Sequence, residues 1–211
     1  MGFKALVDVG GKTLLERAIL NLAPHVDEVL IAIAVEMQGE VERLLERMRA
    51  TCQSRASQKG LRHILGGETR QLSVKNLLEA TGAEFVLIHD AARPFLEARV
   101  IRDMLGAVRT YGAATVALKS ADTLISSSGK VWGALLDRAQ TYAIQTPQGG
   151  RRDWLLEAHE QAQGEGWEAT DDGGLLALAG HNVRLVQGDS RLFKVTTPED
   201  LEMARALAES R

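Results

Sequence analysis

Cysteine is almost absent from this sequence, which has one, Cys52, in 211 residues. A single cysteine excludes an internal disulfide and a cysteine-rich metal site, and we expect this thiol to be inert. The five histidines show no spacing typical of metal ligands. The sequence therefore predicts no zinc site either.

Long hydrophobic runs and a bias toward charge of one sign are also missing. No apolar run approaches the roughly 20 residues that a helix needs to cross a bilayer, and the N-terminus shows neither a secretory nor a myristoylation pattern. The formal net charge is -3, with no basic block. We therefore expect a cytoplasmic protein that binds neither membranes nor nucleic acid.

What the sequence does have is an alternation of short apolar runs with amphipathic stretches. Runs such as 28–34, 84–90 and 113–119 have the length of buried strands, whereas 98–112 and 198–210 repeat apolar residues at helical spacing. Thr197 and Pro198 stand where the N-cap and first residue of the last helix should be. The pattern predicts a single α/β domain over residues 1–211, with a mostly parallel sheet and helices on both faces.

Charged side chains follow one of these apolar runs at its end. The run at 85–88 is succeeded by His89, Asp90 and Arg93. Ligands bind outside the carboxyl ends of strands in such sheets, so Asp90 and Arg93 are candidate site residues. The alternative is an ion pair between them that caps the next helix.

Residues 119–141 depart from the alternation. Two short apolar stretches flank a serine-rich turn at 126–129, a pattern that predicts a β-hairpin arm projecting from the domain. Trp132 on such an arm would be poorly buried in a monomer, and exposed aromatic surface usually indicates a partner. We expect that partner to be a second copy of the chain; the alternative is a loop folded back on its own core.

Several motifs occur in a fixed order along the chain: "GGETRQLSV" at 66–74, "IHDAARPF" at 88–95, "DT" at 122–123, "TPQ" at 146–148, "TDD" at 170–172 and "FKVTTPEDL" at 193–201. Their order and spacing resemble the 2-C-methyl-D-erythritol 4-phosphate cytidylyltransferase family over almost the whole chain. The resemblance implies a Rossmann-like nucleotidyltransferase fold. It also implies transfer of a cytidylyl group from CTP to methylerythritol 4-phosphate, which gives CDP-methylerythritol and pyrophosphate in non-mevalonate isoprenoid synthesis.

One part of the family pattern is missing. Members begin with a strand and a glycine-rich loop of the form AAGxGxRxG that ends in Pro-Lys, whereas here only residues 1–4 precede the matching region, with Lys4 in the place of that lysine. Losing the strand would leave its neighbours with unpaired backbone groups, and losing the loop would remove amides that bind triphosphate. Three interpretations are open: a fragment of a longer product, which we favour, an inactive relative, or an active enzyme with a substitute element.

The resemblance assigns Lys4 and Lys194 to the α-phosphate in the transition state. A phosphomonoester is mostly ionised at neutral pH, since its second pKa is about 6, so the reaction needs cations rather than a general base. Mg2+ or another divalent cation is the implied cofactor, with Asp90 as its ligand beside the ribose. For Lys194, in the apolar run at 192–196, the alternative is an edge-strand lysine whose ammonium reaches solvent.

The resemblance assigns cytosine recognition to the loop at 66–73. Gly67 permits close approach of the backbone, Glu68 would accept a hydrogen bond from the exocyclic amine, and Ser73 offers a hydroxyl; Ala91 would offer its backbone. Taken alone, the loop would be explained as a strand-to-helix turn, and Glu68 as an acid in the first helical turn.

The polyol-phosphate acceptor is assigned, again by resemblance, to Arg93, Thr123, Arg138, Thr146 and Thr170. Thr123 and Arg138 lie on the arm, which would reach the neighbouring subunit's site in a homodimer. Isolated threonines are otherwise explained as caps or turn hydroxyls, and Arg138 as a surface residue. Two alternative functions remain: a ribitol 5-phosphate or related polyol-phosphate cytidylyltransferase, and a truncated, non-catalytic nucleotide-binding or dimerising form.

Overall fold

The computed structural model describes residues 4–51, 60–167 and 169–210. Cys52 lies outside the described residues, so the prediction of an inert thiol stays a prediction. The described residues form α-helices with these bounds: α1 Leu14–Leu22, α2 Gln38–Thr51, α3 Arg70–Ala80, α4 Ala98–Tyr111, α5 Arg152–Glu165, α6 Asp172–Leu178 and α7 Pro198–Glu209. Their strands are β1 Val29–Ile33, β2 Leu61–Leu65, β3 Phe85–Ile88, β4 Ala113–Lys119, β5 Ile125–Ser128, β6 Val131–Leu135, β7 Tyr142–Arg151 and β8 Arg184–Gln187.

A four-stranded sheet with the order β3-β7-β4-β8 forms the centre of the molecule. Strand β7 is antiparallel to both of its neighbours, and β4 is parallel to β8. Strands β3, β4 and β8 therefore run in one direction, and β7 runs against them. Strands β1 and β2 form a separate parallel pair. The predicted α/β fold with a mostly parallel sheet is confirmed.

Helices cover both faces of the central sheet, as strand β4 shows. Successive residues of a strand point to opposite faces. Ala114 and Val116 pack in a cluster with Met104 of α4, whereas Ala113 packs in another cluster with Leu155 of α5. An almost wholly apolar strand is explained by this burial on both sides.

A cavity of about 290 Å³ separates the two sheets. Residues of β1, including Leu30 and Ile31, line it together with Ile88, Asp90 and the facing sides of α1 and α3. Among the described residues, β1 pairs with β2 alone and β3 pairs with β7 alone. Each of these two strands thus has one edge without a strand partner among the described residues.

The last helix brings the segment before it to the end of β3. Thr197 caps α7 in a reciprocal capping box with Asp200, and Pro198 is its first residue, as predicted. Val195 shares a core cluster with Phe95 and with Ala204 of α7, and its N–H donates to Ala92 O at 2.8 Å. Lys194 lies in this extended segment. The expectation that it belongs to a strand is wrong, because the backbone here bonds to the turn after β3 and not to a neighbouring strand.

The predicted hairpin is present as strands β5 and β6, which pair antiparallel around Gly129, whose φ is +63°. All residues of β6 are exposed, and Trp132 is 69% exposed. The interpretation as a loop folded back on the core is therefore wrong. None of the helices in the described parts of the chain combines the length and apolar character that a membrane span requires.

Candidate functional site

Asp90 stands at the centre of the candidate site, in the turn that follows β3. Its N–H donates to Thr146 Oγ1 of β7 at 3.0 Å, and its carbonyl accepts from Arg93 N at 2.9 Å. The backbone of Asp90 is therefore held between the adjacent strand and its own turn. This anchoring leaves the carboxylate pointing to the edge where strand ends and helix starts meet.

The carboxylate of Asp90 binds two cations. Lys194 Nζ lies 2.8 Å from Oδ2, and Arg70 Nε lies 3.4 Å from Oδ1. Burial raises the pKa of Asp90, but the hydrogen bond and charge of Lys194, with the charges of Arg70 and Arg93, outweigh it and lower the pKa below its ordinary value. Asp90 is therefore an anion at neutral pH. It pairs with Lys194 and Arg70, whereas the alternative interpretation was an ion pair with Arg93.

The neutral side chain of His89 contacts two of the residues that hold the turn after β3. Burial lowers the pKa of His89 to about 4. Its Nδ1 lies 3.0 Å from Thr146 Oγ1 and its Nε2 lies 3.1 Å from Arg93 O. A neutral ring with the proton on Nε2 satisfies both contacts, since Thr146 then donates to Nδ1 and the ring donates to the carbonyl.

Arg93 crosses to the segment that carries Lys194. Its Nη1 donates to Leu192 O at 2.8 Å, and its Nε is buried without a hydrogen-bond partner among the described residues. Burial lowers the pKa of Arg93, although the charge of Asp90 acts in the opposite direction. Arg93 thus joins the turn after β3 to the segment that precedes α7, instead of capping a helix.

The loop before α3 packs closely around Gly67. A Cβ on Gly67 would collide with the side chain of Leu72, which would have to move to admit any other residue. Gly67 N donates to Ser73 Oγ at 3.0 Å, and Ser73 Oγ donates to Thr69 O at 2.9 Å. Glu68 is exposed and precedes the N-cap Thr69. The interpretation of Glu68 as a first-turn acid is therefore wrong, because α3 begins at Arg70.

Two functional residues were missed by the sequence reasoning. Arg70, the first residue of α3, pairs with Asp90 and also with Asp172, whose Oδ2 lies 2.7 Å from Arg70 Nη2. Both residues belong to the quoted motifs "GGETRQLSV" and "TDD". Their presence as charged residues in those motifs could have marked them as candidate site residues. The sequence does not reveal that they pair with each other.

The structure brings together some of the predicted site residues and not others. Ser73, Asp90 and Ala91 line the same cavity, and Thr146 and Lys194 contact Asp90. Among the described residues, no hydrogen bond or ion pair links this group to four further predicted positions, Lys4, Thr123, Arg138 and Thr170. All four are exposed.

The arm residue Arg138 has a contact of its own, because its Nη1 donates to Ala121 O at 3.1 Å across the base of the arm. Thr170 immediately precedes Asp171, the N-cap of α6. Thr123 stands ahead of β5. Within one subunit these residues thus lie on the arm and at a helix start, rather than around the Asp90 carboxylate.

The site is rich in cations and has a single central carboxylate. Within the described ranges, no group of three or more His, Cys, Asp or Glu side chains is placed to hold a metal ion. Nucleotide enzymes commonly hold Mg2+ by one or two carboxylates together with substrate phosphates. Asp90 fits that limited role, since phosphate oxygens would supply the remaining ligands.

Comparison with known proteins gives a consistent result. The family model of IspD, 2-C-methyl-D-erythritol 4-phosphate cytidylyltransferase, matches residues 2–210. A Deinococcus radiodurans protein of that name is 52% identical over 207 residues, which cover 98% of this chain and 82% of the relative. The Thermus thermophilus protein of that name is 38% identical over 98% of this chain and 89% of its own length.

Solved structures agree in fold. The crystal structure of 2-C-methyl-D-erythritol 4-phosphate cytidylyltransferase from Thermus thermophilus superposes with a TM-score of 0.82 at 37% identity, covering 99% of this chain and 95% of that one. The 4-diphosphocytidyl-2C-methyl-D-erythritol synthase of Anaerococcus prevotii gives a TM-score of 0.86 at 26% identity, over 97% and 93% of the two chains. With the family model matched over nearly the full length, the chain belongs to the 2-C-methyl-D-erythritol 4-phosphate cytidylyltransferase family of nucleotidyltransferases.

Proposed function

We propose that this protein transfers the cytidylyl group of CTP to 2-C-methyl-D-erythritol 4-phosphate, releasing pyrophosphate. The observation that carries the proposal is the Lys194–Asp90 pair at 2.8 Å, with Arg70 and Arg93 beside it, at the end of β3. Family membership and the names of the relatives support the same reaction.

The acceptor's phosphate oxygen attacks the α-phosphorus of CTP in line, and pyrophosphate leaves. Two highly charged anions meet, and negative charge develops on the leaving group, so fixed cations lower the barrier. Lys194 Nζ lies 2.8 Å from Asp90 and is half-exposed, so it needs only to exchange that carboxylate for the α-phosphate. Lys4 is the second proposed cation, and it is exposed near the start of the described residues.

Nucleotide binding is proposed at the cavity between the sheets. Ser73 lines this cavity and accepts a hydrogen bond from Gly67 N, and the exposed Glu68 carboxylate is proposed to accept from the cytosine amine. Asp90 and the backbone of Ala91 are proposed to face the ribose. Mg2+, bound by Asp90 together with substrate phosphates, would neutralise part of the phosphate charge.

The acceptor site is proposed to be shared between two subunits. Arg93, Thr146 and Thr170 would come from one chain, and Thr123 and Arg138 from the arm of its neighbour, residues 119–141. The exposure of Val131, Trp132 and Leu135, each close to 70%, supports an arm that packs on a second copy. A cytoplasmic homodimer completes the proposal.

The direct test is pyrophosphate release from CTP and Mg2+ with each of two acceptors, methylerythritol 4-phosphate and ribitol 5-phosphate. We expect release with methylerythritol 4-phosphate. Release with ribitol 5-phosphate alone would replace the proposal by the related polyol-phosphate activity. Calorimetric titration of CTP and Mg2+ tests the remaining alternative, a truncated non-catalytic form. Such a form would bind nucleotide without turnover or would fail to bind it.

A further inference from the structure

A row of alternating charges runs from the interior of the molecule to the reacting edge. Asp172, which is 1% exposed, binds Arg70 at 2.7 Å; Arg70 lies 3.4 Å from Asp90, and Asp90 binds Lys194 at 2.8 Å. Arg70 uses Nη2 toward the buried acid and Nε toward the outer one. The two carboxylates therefore hold one guanidinium from both sides.

The buried end of this row is not explained by stability. Removing a carboxylate from water is expensive, and a well-packed apolar side chain is often equally stable or more stable in the same place. Asp172 Oδ1 has no hydrogen-bond partner among the described residues. His159 Nε2 lies 3.7 Å away and is likewise buried without such a partner. A buried acid kept under these conditions points to a task at the other end of the row.

Two cations share the two oxygens of Asp90, and only one of them is tied to the interior. Lys194 binds Oδ2 and extends from a loop, whereas Arg70 lies beside Oδ1 and is held by Asp172. When Lys194 exchanges Asp90 for a phosphate, Arg70 is the cation that remains paired with the Asp90 carboxylate. The Asp90 carboxylate then keeps its orientation, because Arg70 still lies beside Oδ1.

We propose that Asp172 is a positioning residue for cytidylyl transfer: it fixes Arg70 against Asp90, so that the Asp90 carboxylate stays aligned after Lys194 moves to the substrate. The inference rests on the proposed function and deepens it. Asp172 itself does not touch the substrate; it acts through Arg70.

The first test compares Asp172→Asn with Asp171→Asn in the full chain. The Asp172→Asn change retains the shape of the side chain but removes the charge that fixes Arg70. We expect kcat for pyrophosphate release to fall about 10- to 100-fold, as displacements of catalytic groups do, with the dissociation constant for CTP changed less than about threefold. Asp171 caps α6 through Gly174 N at 2.6 Å, and asparagine caps equally well. The Asp171→Asn variant should therefore keep wild-type kcat.

A double-mutant cycle with Arg70→Lys separates positioning from general support of the fold. Lysine keeps the charge but lacks the fork that reaches two carboxylates. If Asp172 acts through Arg70, Asp172→Asn should lower kcat less than about twofold in the Arg70→Lys background. An equal loss in both backgrounds would overturn the proposal. Arg70 is partly exposed, so if Asp172→Asn does not fold, wild-type kcat in Arg70→Lys overturns it instead.

A readout independent of turnover keeps this inference distinct from the proposed function. The Nε–H signal of Arg70 in NMR spectra should exchange slowly with water in the wild type and in Asp171→Asn, and rapidly in Asp172→Asn. Rapid exchange in the wild type would overturn the inference that Arg70 is held in a fixed position. Failure of the wild type to release pyrophosphate with any acceptor, with slow exchange retained, would instead overturn the proposed function and leave Arg70 fixed for another one.

Discussion

The end of β3 and the arm formed by β5 and β6 distribute charged and apolar residues in opposite ways. At the end of β3, Asp90 is enclosed and paired with Lys194 and Arg70. On the arm, Val131 and Trp132 are each 69% exposed. Enclosed charges are a poor source of stability, and exposed apolar residues contribute little to their own fold. These differences support the two proposals made above, a charged ligand at the first region and an apolar partner at the second.

The largest expected effect concerns the charged region. Lys194→Gln should lower kcat for pyrophosphate release by about 100- to 1,000-fold, because it removes a cation placed for the developing phosphate charge. The free energy of unfolding should change little, since the lysine is half-exposed and its pair with Asp90 is partly screened by solvent. Steady-state kinetics and urea unfolding measure the two quantities.

Lys12→Gln serves as the matched control, since it makes the same chemical change at an exposed lysine that is not part of the proposed site. Wild-type turnover in Lys194→Gln would contradict the catalytic role proposed for the charged region, and the comparison with the arm would then fail.

The next effect concerns the arm. Replacing Val131 and Trp132 together by serine should convert a dimer to a monomer without unfolding the domain, because both side chains are exposed in the single chain. Size-exclusion chromatography with light scattering gives the mass. A monomeric wild type would contradict the arm's proposed role.

Mixing two inactive variants sharpens the same point. If sites are shared, a heterodimer of Lys194→Gln and Arg138→Gln has one site with both changes and one with neither. Random exchange of subunits should then restore about a quarter of the wild-type sites. Activity no greater than the sum of the two separate variants would place Arg138 in its own subunit's site or outside any site.

A smaller effect should appear in the pH dependence of stability. The pKa of His89 is about 4 in the folded protein and about 6.5 in an unfolded chain. Between these values the unfolded chain binds more protons, so the free energy of unfolding is full above pH 6.5 and falls by about 2–3 kcal/mol as the pH decreases toward 4. His89→Gln should flatten this slope in urea unfolding, whereas His25→Gln should keep it.

The smallest effect is expected in amide exchange. The amides of Val131–Leu135 should exchange faster than those of Phe85–Ile88 in dilute protein, because every residue of β6 is exposed. Raising the protein concentration should slow exchange on the arm and leave β3 unchanged. Hydrogen–deuterium exchange at two concentrations measures both, and equal responses would contradict a partner specific to the arm.

Local features were predictable because they depend on neighbours in the sequence. The apolar run at 85–88 became β3, Thr197 and Pro198 begin α7, and the serine-rich turn lies in a hairpin. Motif order located Asp90, Ser73 and Lys194, which the fold brings to adjoining positions. Lys194 was placed in a strand by its apolar neighbours, but a loop beside the β3 turn holds it, since Val195 binds Ala92 rather than a neighbouring strand.

By itself, the sequence determined the α/β alternation, the helix caps, the exposed arm and the membership of charged residues in motifs, because each depends on periodicity or on residues a few positions apart. Only the tertiary structure decided which charges meet. Arg70 and Asp172 lie 102 positions apart, and nothing in their local surroundings prefers one carboxylate over another. The packing of α3 and α6 against the sheet makes that choice, because a buried charge is tolerated only where the fold supplies its partner.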